Sequence, residues 1–303
     1  MRSVAIPCRD GVILGGHLWS SPGVARHGTI IINPATGVLA RYYHDFATFL
    51  AGHGFDVLTY DYRGIGLSRP ARLRGCGYRW RDWGELDFDA ALRFAKAGDA
   101  GHRLFVVGHS IGGFLPGLAA QAPAIERLLT VGAQYGYWRD YAPRHRAALF
   151  LKWHLVMPAV TALCGYFPGK RLGWLEDLPA GVATEWSFRR SRMELSHPRP
   201  ARHDVLHRFS RLTAPILALS MSDDEFATVP ALRRTLNYYR GSEPIQVLLN
   251  PDDLGHYAVG HFALFRKRHA ADFWPATVLW LRDGVNPWPD RRIGPDHGDG
   301  VAL

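Results

Sequence analysis

The chain is predicted to fold as an α/β domain with a mostly parallel central sheet, helices on both of its faces and an inserted helical cap. Short apolar, β-branched runs alternate with stretches of helical spacing, the rhythm of strands joined by crossover helices. Those runs carry almost no polar alternation, as expected of strands covered on both faces. The rhythm pauses over residues 136–205 and then resumes, which marks an insertion into one sheet rather than a second domain.

Taken in order, "VAIPCRDGVILGGHLW" reads as a β-hairpin turning at Asp10-Gly11. "GTIIIN" (28–33) is a strand buried on both faces. Residues 41–55 place Tyr42, Phe46, Phe49 and Leu50 at helical spacing before a glycine stop. "DVLTYDYRGIG" is the next strand, and 83–98 a helix with Leu86, Ala90 and Phe94 on one face. "RLFVVG" (103–108) is a third buried strand, "GGFLPGLAAQ" a helix, and "RLLTVGA" (127–133) a fourth strand. After an aromatic-rich block with no clear strand come "APILALSMS" (214–222), the helix "VPALRRTLNYY", the strand "PIQVLLN" (244–250) and a long helix around 262–282. This partitions the chain into a core (1–135 and 206–283), a helical cap (136–205) and a loose Gly-, Pro- and Asp-rich tail (284–303).

Composition narrows the class. With 47% hydrophobic and 21% charged residues the chain has enough apolar surface to bury a large core. The net charge of +9 is spread over scattered arginines, with local clusters at 187–192 and 265–269. No nucleic-acid-binding pattern accompanies them, so a solvated basic surface is expected and no nucleic acid partner. "LFLKWHLVMPAVTALCGYF" (149–167) carries Lys152, His154 and Pro158 and reads as a buried or amphipathic helix, without stable membrane attachment. "MRSVAIPCRDG" lacks a signal-peptide core. Cys8, Cys76 and Cys164 are widely spaced, which suits reduced thiols and a cytoplasmic location.

The chemistry concentrates around "FVVGHSIGG" (105–113). Gly108-His109-Ser110-Ile111-Gly112 matches G-x-S-x-G, with a strand before it and a predicted helix after it. A nucleophilic serine on so sharp a turn needs neighbours without side chains, and a helix start would add its dipole to the Ile111 amide. The alternative is a serine that only caps a helix. Partners decide between them, because a nucleophile needs an acid and a base downstream. Asp224, in "SMSDDEF" after the fifth strand, is preferred as the acid over Asp223, which caps or faces solvent. His261 stands just before the final helix and is preferred as the base over His256, while His269 is expected to be exposed in mid-helix. The five-residue spacing of His256 and His261 does not suit a metal-binding helix, and neither metal nor cofactor is expected. The loop "NPATGV" (33–38) offers a second oxyanion amide: Pro34 has no N–H, leaving Ala35, with Thr36 as the alternative. The side chains of Asn33 and Thr36 could add to the oxyanion site, but are expected to hold the turn.

These motifs resemble the α/β-hydrolase superfamily over about residues 1–283: "GHSIGG" its nucleophile elbow, and "DYRGIGLS" (61–68) its D-x-R-G-x-G-x-S segment. "NPATGV…RYY", "GYFPGKRLG…EDLPAGVATEW" and "GHFALFRKRHAADFWP" are similar to bacterial α/β-hydrolases related to serine aminopeptidase and monoglyceride-lipase-like enzymes. The group's G-H-x-G-F-F-R ending supports His261, although Ala263-Leu264 replaces its Gly-Phe. The resemblance implies a serine hydrolase acting on a partly apolar small-molecule acyl substrate, a carboxylic ester before a peptide, through Ser110, His261 and Asp224. An acyltransferase or lyase on the same triad, or a non-catalytic ligand-binding relative, are the rival readings. Nothing in the sequence bears on oligomeric state.

Overall fold

The computed structural model describes residues 1–21, 23, 26–97 and 103–294. Its centre is an eight-stranded sheet built from β1 (Arg2–Pro7), β2 (Ile13–Trp19), β3 (Gly28–Asn33), β4 (Phe55–Tyr60), β5 (Leu104–His109), β6 (Ile125–Val131), β9 (Ile216–Met221) and β10 (Pro244–Leu249). The spatial order is β1-β2-β4-β3-β5-β6-β9-β10. The first two strands form the antiparallel hairpin expected around Gly11, and β2 joins β4 antiparallel. Every later pairing is parallel. All residues of β3, β4, β5 and β9 are buried, which is why these strands read as unbroken apolar runs. Two apolar cores result, one on each face. Ile31, Leu58 and Val106 point into one, and Ile30, Val57 and Phe105 into the other, as a two-residue period requires.

The helices flanking the sheet include α1 (His44–Gly52) and α2 (80–96), the latter with a wider π turn at Trp83–Phe88. Two expected helices form differently. After β5 there is no α-helix but two 3-10 turns, Ser110–Gly113 and Leu115–Leu118. Gly112, Gly113 and Gly117 are poor helix formers and Pro116 supplies no N–H, so the ladder does not propagate. The helix predicted at 262–282 likewise begins as 3-10 turns at Ala263–Phe265 and Lys267–His269. It becomes a continuous helix only from Phe273 to Asp283.

The "DYRGIGLS" segment after β4 is a structural clamp. The Asp61 carboxylate accepts the amides of Ala40 (2.7 Å) and Leu67 (2.8 Å), and Ser68 Oγ donates to the Asp61 carbonyl (2.6 Å). Arg63 is 2% exposed and sits between Asp87 (Nε to Oδ1, 2.6 Å) and Asp10 (Nη1 to Oδ2, 2.6 Å). It therefore ties the hairpin turn to α2. Removing one member of a buried ion pair strands the other, at a cost of about 3–5 kcal/mol. Arg63→Met is expected to lose stability on that scale, read as a lowered midpoint in urea unfolding.

Between β6 and β9 runs the inserted segment, mostly helical, with one small strand pair that the sequence did not announce, β7 (Tyr166–Phe167) with β8 (Leu178–Pro179). Its longest element, α3 (Arg146–Cys164), is long and apolar enough by length and composition to cross a membrane. Only its inner face is covered. Leu149, Trp153, Met157 and Thr161 are buried, and Leu151, Leu155 and Leu163 are exposed. A π turn at Leu151–Val156 precedes Pro158, where the ladder lacks a donor. Helix α4 (Ala180–Ser187) packs on α3 through Trp153 and Trp186, stacked at 4.7 Å. Of the tail expected to be loose, 284–294 instead lies along the sheet edge, while 295–303 fall outside the described residues. Arg292 bridges Val247, Ile293 N–H donates to the Gln246 carbonyl (3.0 Å), and Trp288 stacks on Phe273.

Candidate active site

Strand β5 delivers the chain into a turn at Ser110, whose φ of 56° makes it the only non-glycine with positive φ among the described residues. Such a conformation costs roughly 1–2 kcal/mol and persists only where the surroundings enforce it. The enforcement is steric. A Cβ on Gly108 would lie 2.5 Å from the Gly112 carbonyl oxygen, and one on Gly112 only 2.3 Å from the Asn33 carbonyl oxygen. One on Gly113 would strike Ala133 Cβ at 2.7 Å. The turn after β5 thus lies flat against the end of β3 and the chain leaving β6. Asn33 fastens it: Nδ2 donates to the Gly112 carbonyl (3.3 Å), while Oδ1 accepts from the Tyr60 hydroxyl (2.8 Å). With two short 3-10 turns in place of a helix, the N–H groups at Ile111 act locally and carry no macrodipole.

Asp224 and His261 meet across 37 residues of sequence, with Oδ2 2.6 Å from Nδ1. The other Asp224 oxygen accepts the amides of Phe226 and Ala227, each at 2.8 Å. Burial pushes this carboxyl up, but the attraction of His261 and these hydrogen bonds outweigh it and hold it below the usual value. Gly132 leaves room for the pair, since a Cβ there would come within 3.2 Å of both side chains. Asp223 serves the loop: its carboxylate accepts the amides of Val259 (2.8 Å) and Gly260 (3.0 Å), fixing the approach to His261. Ser110 and His261 line the same cavity. Among the described residues no hydrogen bond joins them, and Ser110 Oγ instead accepts from Gln134 Nε2 at 3.4 Å.

A hydrogen-bond chain that the motif does not reveal runs behind the serine. The Ala35 N–H donates to Tyr43 Oη (3.0 Å), and that hydroxyl lies 2.7 Å from His109 Nδ1. His109 Nε2 lies 2.8 Å from the His261 carbonyl. A carbonyl can only accept, so His109 carries its proton on Nε2 and receives the Tyr43 hydroxyl on Nδ1. The Ala35 amide, the expected oxyanion donor, is thus already bonded to Tyr43, although Ala35 lines the cavity. Thr36, the alternative, lines the cavity, and its N–H makes no hydrogen bond among the described residues.

Burial, with His261 beside it, pushes the His109 imidazole down to about 3. Its folded value is thus below the ordinary 6.5, and the unfolded chain binds the extra proton between the two. Stability is therefore fully present above about pH 6.5 and is lost as pH falls toward about 3, by an amount on the order of a few kcal/mol. Urea unfolding at pH 7 and pH 5 is expected to show this slope, and His109→Gln to flatten it.

His269, expected in an exposed position, is fully buried in a 3-10 turn. It and His256 both pack on Asp272, with His256 Nε2 2.7 Å and His269 Nδ1 3.1 Å from its carboxylate. These three groups lie close enough together to hold a cation. Each is already satisfied within the protein, since Arg268 Nε donates to His269 Nε2 (3.2 Å) and Asp272 caps the Phe273 amide. His256 is therefore committed to Asp272, and of the two histidines only His261 faces the serine's cavity.

That cavity, of about 570 Å³, is walled by the elbow, by the loop after β3, by the His261 loop and by the insertion. Trp153, Trp174 and Trp186 come from the insertion, and Tyr42, Phe226 and Phe262 from the core. Sequence periodicity could not have singled out Gln134, Tyr43 or Arg189, because each enters through packing alone.

Comparison with known proteins places the fold. A search of curated proteins found no match. Solved structures share the fold at low identity. An α/β hydrolase from Penicillium sp. sh18, GrgF, is 17% identical with a TM-score of 0.58, covering 94% of this chain and 99% of its own. A monoacylglycerol lipase from Paleococcus ferrophilus is 15% identical with a TM-score of 0.55, covering 90% and 99%. An esterase from Pyrococcus furiosus is 15% identical with a TM-score of 0.58, covering 96% and 90%. The model of the serine aminopeptidase S33 family matches residues 25–189, more than half of the chain, including the clamp after β4 and the elbow. The chain is an α/β hydrolase and belongs to the serine aminopeptidase S33 family.

Proposed function

We propose that the protein hydrolyses a carboxylic ester through an acyl-enzyme on Ser110. The observation that carries this reading is a serine held at positive φ in a cavity shared with a histidine already bonded to a buried aspartate. Ser110 Oγ attacks the carbonyl carbon and its proton passes to His261 Nε2, while Asp224 fixes the tautomer through Nδ1. The oxyanion is received by the Ile111 and Thr36 amides. The tetrahedral intermediate collapses, the alcohol leaves with the proton from His261, and water then releases the acid by the same path. The insertion 136–205 acts as a cap whose tryptophans shelter the acyl or alcohol group from water. The preference for an ester over a peptide rests on this largely aromatic wall.

The test is a fluorophosphonate probe followed by turnover of 4-nitrophenyl butyrate beside the matching anilide. Labelling confined to Ser110, with ester cleaved and anilide not, is the expected result. An unlabelled serine in folded protein overturns the reading, and equal cleavage of the anilide overturns its ester part.

A further inference from the structure

The cavity at Ser110 carries charge that an apolar ester does not use. Arg189 is 7% exposed, and its guanidinium lies over Trp80 (4.6 Å) and Tyr135 (5.2 Å). Its hydrogen bond within the protein goes from Nη1 to the Tyr135 carbonyl, and Nε has no partner. It forms no ion pair among the described residues. Glu185, four residues earlier, makes its ion pair with Arg79 (Oε1, 3.0 Å) and none with Arg189, on which it acts only at longer range. Burying a guanidinium without a carboxylate costs several kcal/mol, a cost that an anion brought to the site reverses. Burial accordingly pulls its pKa down, with Tyr135, Tyr141 and Glu185 opposing.

Arg189 stands on the nucleophile's own wall. Tyr135, whose carbonyl it holds, directly follows Gln134, which touches Ser110 Oγ. Gly136 is bare beside it, and a Cβ there would lie 2.5 Å from Nη1. The other cavity cations, Lys152, Arg41 and Arg266, also lack ion pairs among the described residues. Lys152 is parked over Trp153 (4.6 Å) and Trp174 (4.4 Å). Two carboxylates share the wall. Glu176 is bound by Lys170 (2.8 Å), and Glu225 lies 3.9 Å from His145.

We propose that the ester cleaved at Ser110 bears a carboxylate, and that Arg189 is the residue that binds it. The proposal rests on the hydrolase reading above and adds the substrate class: a half-ester of a dicarboxylic acid, with the flanking tryptophans on its methylene chain. Arg selects a planar, bidentate anion of this kind, and Lys152, Arg41 and Arg266 raise its local concentration.

The test compares mono(4-nitrophenyl) adipate with 4-nitrophenyl hexanoate, which matches it in length and lacks the charge. Wild-type protein is expected to favour the adipate by tenfold or more in kcat/KM, and Arg189→Met to bring the ratio near one. Hexanoate cleaved as well as adipate overturns the substrate class and leaves the hydrolase reading intact. A binding arm is independent of catalysis. Free adipate is titrated calorimetrically into Ser110→Ala protein, and into the same protein with Arg189→Met. Binding weakened tenfold or more by the second change supports the site, whereas no binding to Ser110→Ala overturns it even if both esters are inert. Should Arg189→Met fail to fold, Arg189→Lys is used in its place. It keeps the charge but not the fork, and is expected to weaken adipate binding several-fold. Unchanged binding overturns the role of Arg189.

Discussion

Ser110→Ala is expected to lower ester turnover by about 10⁴-fold or more and to abolish fluorophosphonate labelling, with urea stability at or above that of the parent. The two halves of this result have different causes. Activity falls because the proposed nucleophile is removed, and what persists is the contribution of oxyanion binding and proximity. Stability does not fall, because Ser110 Oγ makes only the long 3.4 Å contact with Gln134, while the strained φ of 56° belongs to the backbone and stays. Ser110→Gly goes further, since glycine adopts positive φ freely, and is expected to gain about 1 kcal/mol while remaining inactive. A variant inactive but no less stable separates a nucleophile from a structural cap. If turnover survives in Ser110→Ala, the serine is not the nucleophile.

Asp224→Asn is expected to cost about 10³–10⁴-fold in kcat with a much smaller change in KM. The amide is nearly the same size, but its nitrogen cannot accept the Nδ1 proton, so His261 loses both its orientation and the charge that stabilises its protonated form. The Phe226 and Ala227 amides that bond the other oxygen (2.8 Å each) keep the loop in place. Loss of kcat at nearly constant KM is the signature of an orienting charge rather than a substrate contact. Asp223→Asn, which keeps an acceptor for Val259 and Gly260, is expected to change kcat by less than about tenfold and provides the comparison. Equal losses in the two variants refute the assignment of Asp224.

How far the sequence could be read follows from which interactions are local. Strands β3, β5 and β9 were legible because burial on both faces leaves only apolar residues. The pairing of Asp224 with His261, and the cavity that His261 shares with Ser110, were legible because the three residues follow sheet strands in a recognisable order. The Ala35 amide was not. Whether a peptide N–H faces the cavity or the interior is a matter of one peptide plane, decided here by the Tyr43 hydroxyl eight residues away. Apolar spacing also overstated the helices. "GGFLPGLAAQ" and the start of 262–282 have the periodicity of a helix, but the glycines and Pro116 break the first, and packing of His269 on Asp272 shapes the second. Arg189 stayed hidden because what marks it is the lack of an ion pair among the described residues, which only a folded neighbourhood can show.

The chain of contacts from Ala35 through Tyr43 and His109 to the His261 carbonyl has a consequence for the order of assembly. It closes a loop of 152 residues between His109 and His261, so the elbow acquires its last support only when the final third of the polypeptide docks. Contacts of such long range form late and cooperatively. A nascent chain ending before His261 would hold the serine strand without that histidine and leave His109 Nε2 with an unmatched donor. Under the proposed mechanism, competence thus arrives in one step with the docking of the C-terminal third, and an unfinished chain has no assembled site with which to act during synthesis.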